Sequence, residues 1–205
     1  MQQTRSGLSI TRIVHYRSRW FQDAMRIYQA EFSADSRLSV TTIRALLAAG
    51  QYQLFVTQEQ GTVLGFALIW ISRRPAFVHL DYIGVRHEQK GRGIGTWLYR
   101  WLTSHLHELS PRASLLTLEV ENELIPFYRR SDTRILEGVA YLFPGPFGPL
   151  PMHLMVHDRE QRQVLERMVV QGVIRGLYRG LHQRAAGDPL LRSLLIGVPR
   201  IVRLV

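Results

Sequence analysis

Hydrophobic and polar residues along the first quarter of the chain are arranged in patterns that predict one strand and two helices. Leu8–Tyr16 carries apolar residues at strand-like spacing, and Ser18–Phe32 carries them at the three- and four-residue steps of an amphipathic helix. A polar turn over Ser33–Ser36 leads into a second helix, Thr41–Ala49, for which Gly50 is the stop signal. The chain is therefore predicted to begin as strand, helix, helix.

The next segment changes to strand periodicity. Tyr52–Gln58 and Thr62–Ser72 are apolar runs joined by the turn Glu59–Gly61, which is a hairpin signature. Pro75 interrupts the chain, and Ala76–Val85 is predicted as a third strand of this group.

The second half of the core alternates helices and strands. Leucines and tryptophans mark a helix that ends before Pro111, and a strand over Ser114–Val120 is followed by a short helix over Leu124–Arg130. Two last strands are predicted at Arg134–Phe143 and Met152–His157. Four prolines lie between these strands and predict a stiff loop rather than a tight hairpin turn: Pro144, Pro146, Pro149 and Pro151. Helices mixed with hairpins in this order indicate a mixed α/β fold.

A helical pattern returns after Asp158. Apolar residues recur at helical steps from Val164 to Leu181, Gly187–Pro189 breaks the pattern, and an apolar tail with arginines runs to Val205. We therefore divide the chain into a main domain, residues 1–157, and a basic helical extension, residues 158–205. The extension has nine arginines against four acidic residues, a local charge of +5. It is suited to covering the sheet, forming a homodimer or lying on an anionic membrane, and the sequence leaves these alternatives open.

Composition narrows the class of protein only partly. Lys and Arg total 26 against 16 Asp and Glu, a net charge of +10, which favours nucleic acid, an anionic membrane surface or a phosphate-bearing cofactor as partner. The absence of cysteine excludes disulfides, thiolate metal sites and a cysteine nucleophile. Met1–Tyr16 lacks a signal-peptide stretch, so a soluble cytoplasmic protein is expected. A bacterial origin is also expected. The spacing of the eight histidines predicts no metal site.

The most informative motif follows the strand Ala76–Val85 and opens the next helix. It reads Lys90-Gly91-Arg92-Gly93-Ile94-Gly95. Glycines at alternate positions allow the backbone to approach a ligand closely, and helix N-terminal amides bind phosphate. The spacing fits neither a Walker A loop nor a dinucleotide fingerprint. A glycine-rich turn without a ligand is the alternative interpretation.

This motif, in this order of elements, resembles that of the GNAT superfamily of N-acetyltransferases over roughly Leu8–Asp158, with Lys90 where the family has Arg or Gln. The resemblance implies a GNAT-like fold, in which helices flank a central, mostly antiparallel sheet of six to seven strands. It also implies acetyl-CoA or another acyl-CoA as co-substrate, with the pyrophosphate on the loop and the pantetheine arm beside the preceding strand. The implied cofactor-binding residues are Ile83, Val85, Lys90, Gly91, Arg92, Gly93, Ile94, Gly95, Thr96 and Asn122.

The same resemblance assigns catalytic roles. Tyr128 matches the tyrosine that protonates the departing thiolate, a role that a phenol can fill because it stays protonated at neutral pH. Asp81 is expected to accept or relay the proton of the amine, with His79 assisting from the same face of the strand. Asn122 lies six residues before Tyr128 instead of the usual seven, and Ser131–Arg134 replaces the family's Gly-Phe. Structural roles, a packed tyrosine ring and a hydrogen-bonded aspartate, are the alternatives.

These observations predict an N-acetyltransferase that moves an acetyl or short acyl group from acyl-CoA directly to a primary amine. The acceptor is a small molecule or a peptide, and the sequence does not choose between them. The alternative is a non-catalytic protein on the same scaffold, which senses CoA or binds nucleic acid or a membrane through its basic surface. No nucleic-acid partner is indicated, because aromatic and basic residues do not interleave as in single-strand binders.

Overall fold

A computed structural model describes residues 3–5, 7–34, 37–145 and 147–205. The chain divides into two compact units. The first comprises Met1–Ile71 and Leu80–Ser104, and the second comprises Ser72–His79 and His105–Val205. Two positions of the predicted turn Ser33–Ser36 and one of the four loop prolines, Pro146, lie outside the described residues.

The first unit contains the elements predicted for the start of the chain. Its strands follow the order β1-β2-β3-β4-β5, and β1 to β4 pair antiparallel with their neighbours. Serine side chains cap both early helices: Ser18 accepts from the amide of Phe21 at 3.2 Å, and Ser39 from that of Thr42 at 3.0 Å. The elements are β1 (Gln3–Arg5), β2 (Leu8–Ile13), α1 (Arg19–Glu31), α2 (Val40–Ala48), β3 (Tyr52–Glu59), β4 (Thr62–Arg73), the second part of β5 (Ala76–Val85), and α3 (Ile94–Ser104).

The second unit holds the remaining strands of the sheet. The first part of β5 pairs parallel with β6, and β6, β7 and β8 each pair antiparallel with β9. The described part of the sheet is mostly antiparallel, which confirms the predicted fold class. It has nine strands rather than the predicted six to seven, in part because short strands such as β1 show no periodicity of their own. The elements of this region are α4 (Leu106–Leu109), β6 (Leu115–Val120), α5 (Ile125–Arg129), β7 (Arg134–Ile135), β8 (Tyr141–Gly145) and β9 (Gly148–Asp158).

The proline-rich connection differs from the prediction. Strands β8 and β9 form a hairpin whose pairing continues to Gly145 opposite Gly148, with Pro144 directly opposite Pro149. The stiff loop predicted from the prolines is therefore wrong. Residues that face each other in an antiparallel ladder alternate between pairs that exchange hydrogen bonds and pairs that do not, so prolines fit where no N–H is needed.

The C-terminal extension is only partly helical. Residues predicted as the start of one long helix form a short strand, β10 (Val164–Glu166), which pairs with β11 (Ile201–Arg203). Between them lie α6 (Arg167–Gly176), a π-helical turn (Leu177–Leu181) and α7 (Pro189–Gly197). The single predicted helix is wrong here because a three-residue strand is too short to show its own periodicity.

The apolar face of α6 is covered by the chain's own second unit. Val170, Val173 and Ile174 are buried, and a Cβ added at Gly172 would contact the ring of Pro75 at 3.3 Å. The extension therefore packs in cis, one of the alternatives that the sequence left open. Within the described ranges, every helix is too short or too polar to cross a lipid bilayer.

Candidate active site

The glycine loop of the first unit has the backbone conformation that its sequence requires. Gly91 and Gly93 have φ angles of 82° and 74°, and a Cβ built at either residue would meet no atom within 4 Å. The amide of Trp97 donates to the carbonyl of Gly93 at 2.9 Å and starts helix α3. The amides of Gly93 and of the first three residues of α3, Ile94, Gly95 and Thr96, therefore have no intrahelical partner. This open N-terminus suits a phosphate group.

The two cations of the loop are paired with acidic side chains of the same unit. Lys90 Nζ lies 2.5 Å from a carboxylate oxygen of Glu31, and Arg92 contacts both carboxylate oxygens of Glu59 at 3.1 and 3.3 Å. Arg92 also donates to Gln89. Both cations of the loop are thus already paired with carboxylates. The groups of the loop that suit an anion are therefore its backbone amides.

Strand β5 carries the expected acidic residue. Asp81 accepts a hydrogen bond from the hydroxyl of Tyr52, and burial, followed by the Asp81 charge, raises the pKa of Tyr52 far above its usual value. The carboxylate of Asp81 is thus held by a phenol that stays protonated. The ladder between β5 and β6 ends at His79, so Ile83 and Val85, both half-buried, lie in the part of β5 beyond it.

Tyr128 lies in the second unit on the short helix α5, which Pro126 opens. Its side chain is buried, and the ring of Phe127 packs edge-on against it with the centroids 4.9 Å apart. Burial raises the pKa of Tyr128 above its usual value. The hydroxyl therefore stays protonated at neutral pH, as a general acid requires.

Asn122 borders a cavity in the same unit. Its side-chain oxygen lies 2.7 Å from Nε2 of His153 on β9. The cavity has a volume of about 430 Å³, and its lining combines apolar side chains with two glutamates. It is lined by Glu121, Asn122, Glu123, Val139, Ala140, Tyr141, Leu142, Pro151, Met152 and His153.

The structure reveals a buried carboxylate that the sequence analysis missed. Glu119 on β6 accepts hydrogen bonds at Oε1 from the hydroxyl of Tyr141 and from Nε2 of His182, the latter at 2.8 Å. Its Oε2 lies 3.8 Å from Nε2 of His79. Burial raises the pKa of Glu119, but the charge and hydrogen bond of His182, with smaller contributions from His79 and Tyr141, leave it below its usual value. Glu119 is therefore ionised at neutral pH.

His79 is the neutral member of this cluster. It is almost fully buried, and its Nδ1 lies 2.9 Å from the hydroxyl of Thr117. Burial lowers the pKa of His79 to about 4, against the opposing charge of Glu119. One sequence signal could have identified Glu119, because a charged residue in the otherwise apolar run of β6 is rarely buried without a partner. The described residues contain no cluster of three or more His, Asp or Glu side chains suited to a metal ion.

Comparison with known proteins bears on both units. The sequence model of the Acetyltransferase (GNAT) family matches residues 18–132. An uncharacterised protein of Dictyostelium discoideum is 29% identical over 121 residues, which are 58% of this chain and 27% of that protein. The chain therefore spans about a quarter of the length of this relative.

Solved structures share the fold. A protein assigned to the GNAT acetyltransferase family from Bacteroides thetaiotaomicron superposes with a TM-score of 0.68 at 19% identity, covering 86% of this chain and 99% of that one. The ribosomal-protein-S18-alanine N-acetyltransferase of Escherichia coli superposes with a TM-score of 0.56 at 19% identity, covering 74% and 93%. An aminoglycoside acetyltransferase from an uncultured soil metagenomic sample gives 0.51 at 17%, covering 61% and 87%. Because the family model matches more than half of the sequence and the fold agrees, the chain belongs to the GNAT family of acetyltransferases.

Proposed function

We propose that the chain transfers an acetyl or another short acyl group from acyl-CoA to the nitrogen of a primary amine. The observation that carries the proposal is the pair of groups in the second unit whose protonation states suit the two ends of this reaction. Glu119 is an ionised carboxylate, able to accept a proton, and Tyr128 is a protonated phenol, able to donate one.

The proposed reaction needs three proton transfers. An ammonium group loses a proton to Glu119, directly or through a water, and the neutral nitrogen then attacks the thioester carbon. The new C–N bond forms while the C–S bond breaks, and the hydroxyl of Tyr128 supplies a proton to the departing thiolate. The nitrogen of the new amide loses its second proton, which restores Tyr128 through a water, and the proton on Glu119 passes to solvent. The first unit would bind the CoA pyrophosphate through the amides from Gly91 to Thr96.

Asp81 is a second candidate for the base. The hydrogen bond from Tyr52 supports a role in orienting or relaying, as the resemblance implied. We favour Glu119 as the base because Tyr128, the proposed general acid, belongs to the same compact unit. The variants Glu119→Gln and Asp81→Asn, each compared for CoA release and for acetyl-CoA binding, separate the two assignments.

The cavity beside Asn122 supports a positively charged acceptor. Glu121 and Glu123 line it, and no lysine or arginine does so among the described residues. This acidity contrasts with the net charge of +10 of the whole chain. Two of the related structures are named for amine-bearing acceptors, a protein alanine and aminoglycosides. A cationic amine, on a small molecule or at a peptide N-terminus, fits these properties.

A matched pair of glycine variants tests acyl-CoA binding. Gly93 and Gly61 have φ angles of 74° and 78°, and a Cβ at either meets no atom within 4 Å, so Gly93→Glu and Gly61→Glu add the same charge at similar backbone strain. Saturating acetyl-CoA should stabilise the wild type and Gly61→Glu, by about 2.7 kcal/mol at 100 times Kd. Gly93→Glu should lose this stabilisation, since its carboxylate would oppose the pyrophosphate.

Thermal-shift titration measures the binding, and detection of released CoA thiol with a panel of amines measures the transfer. Equal stabilisation of all three proteins would show that the pyrophosphate does not bind at this loop. Stabilisation without thiol release from any amine would favour the alternative, a non-catalytic CoA sensor.

A further inference from the structure

The C-terminal extension reaches the buried carboxylate of Glu119. His182, which directly follows the π-helical turn, is 63 residues distant in sequence from Glu119 and donates to its Oε1 through Nε2 at 2.8 Å. A carboxylate can only accept, so the proton of this bond belongs to the histidine. The side chains of His182 and Glu119 are 11% and 6% exposed, so water screens the contact weakly.

The segment that carries His182 is firmly anchored. Leu177 and Tyr178 are fully buried, and the hydroxyl of Tyr178 donates to the carbonyl of Leu142. The imidazole of His182 packs edge-on against Phe143 with the ring centroids 5.0 Å apart. The ring is therefore held on β8, beside Tyr141, which is the second donor to the same carboxylate oxygen. Such packing fixes the orientation of the donor as well as its distance.

The charge of Glu119 depends on few groups. The titratable groups that face it are His79 from β5, Tyr141 from β8, and His182 and Tyr178 from the C-terminal segment. Both tyrosines stay protonated, and His79 is neutral near pH 7. His182 is thus the group best placed to offset the cost of burying the carboxylate. Oε1 of Glu119 accepts hydrogen bonds from two donors, whereas none of the described residues donates a hydrogen bond to Oε2.

We propose that His182 is a positioning residue that keeps Glu119 ionised and directs its Oε2 toward the proton to be removed. This inference rests on the proposed role of Glu119 as the base. It makes the C-terminal extension, which lies outside the match to the family model, part of the active site of this protein.

Three variants of the full-length protein test the proposal. His182→Leu removes the hydrogen-bond donor, His182→Gln keeps an N–H donor without an ionisable ring, and His157→Leu is the matched control, a histidine of β9 whose Nδ1 lies 3.2 Å from the backbone carbonyl of Asp132. NMR titration of protein labelled at the glutamate δ-carbons follows Glu119, whose signal is identified by its loss in Glu119→Gln. The pH dependence of kcat/KM is measured with acetyl-CoA and the fastest of spermidine, tyramine and Ala-Gly-Gly.

We expect the titration midpoint of Glu119 to rise by at least one pH unit in His182→Leu, and the acid limb of kcat/KM to move to higher pH by the same amount. On this acid limb, at a pH below the wild-type midpoint, the rate should fall at least tenfold relative to the wild type. His182→Gln should recover part of the loss, and His157→Leu should match the wild type. An unchanged midpoint in His182→Leu, or an unchanged acid limb while Glu119→Gln is inactive, would overturn the role of His182. Full activity of Glu119→Gln would instead show that Glu119 is not the base, and the proposed role of His182 would then be refuted as well.

Discussion

Replacing Gly176 by alanine tests how closely the extension packs on the sheet. A Cβ built at this last residue of α6 would lie 2.7 and 2.9 Å from two ring carbons of Phe77, which is 1% exposed. Gly172, one turn earlier on the same helix, provides the control, because its Cβ would meet only the ring of Pro75 at 3.3 Å. The two substitutions have the same chemistry and differ in the space available.

The expected energies have opposite signs. Glycine to alanine in a helix gains about 1 kcal/mol from backbone entropy, and both variants share this gain. Overpacking of a rigid buried ring costs roughly 1–3 kcal/mol, and the upper part of this range applies to Gly176 because the overlap is with a fixed aromatic ring. Gly176→Ala should therefore be less stable than the wild type by about 1–2 kcal/mol, whereas Gly172→Ala should be neutral or slightly more stable.

Urea denaturation followed by tryptophan fluorescence and far-UV circular dichroism measures the free energy of unfolding of the three proteins. The difference between the two alanine variants, about 2 kcal/mol, is well above the error of such a comparison. If Gly176→Ala were as stable as Gly172→Ala, α6 would not lie against Phe77 as described, and the cis packing of the extension would have to be abandoned.

Two further predictions concern single side chains. Tyr128→Phe should lower kcat by about 10²–10³ while the stabilisation by acetyl-CoA is retained, since only the proton donor is removed; loss of acetyl-CoA binding as well would show that the hydroxyl has another role. The pKa of His79 is about 4 in the folded protein and 6.5 in the unfolded chain. Between these pH values only the unfolded chain binds the proton, so the contribution of His79 to the free energy of unfolding falls as the pH is lowered from 6.5 to 4. Between pH 7.5 and pH 5 the wild type should lose about 2 kcal/mol more than His79→Gln in urea titrations, and equal losses would contradict the neutral buried state.

Local patterns predicted most of the elements and the glycine loop, because each depends on residues close in sequence. The bounds of the strand Ala76–Val85, for example, agree with those predicted from periodicity alone. The cluster around Glu119 does not, since it joins β5, β6, β8 and the C-terminal segment. The partners of a buried charge are set by long-range packing, and no spacing rule links Glu119 to His182. The resemblance pointed to Asp81 because it carried the expectation of an acid on β5.

The same face of β5 links the packing of the extension to the proposed chemistry. Phe77 and His79 are two positions apart and so point to one side of the strand, about 6.6 Å from each other along it. Gly176 lies against Phe77, and His182 shares the carboxylate of Glu119 with His79. If the overlap at Phe77 pushes the end of α6 outward, the displacement reaches the turn that holds His182. Gly176→Ala should therefore also move the acid limb of kcat/KM to higher pH, whereas Gly172→Ala should not. A shift in Gly176→Ala alone would show that the extension contributes to the active site, and the absence of a shift would show that it only covers the sheet.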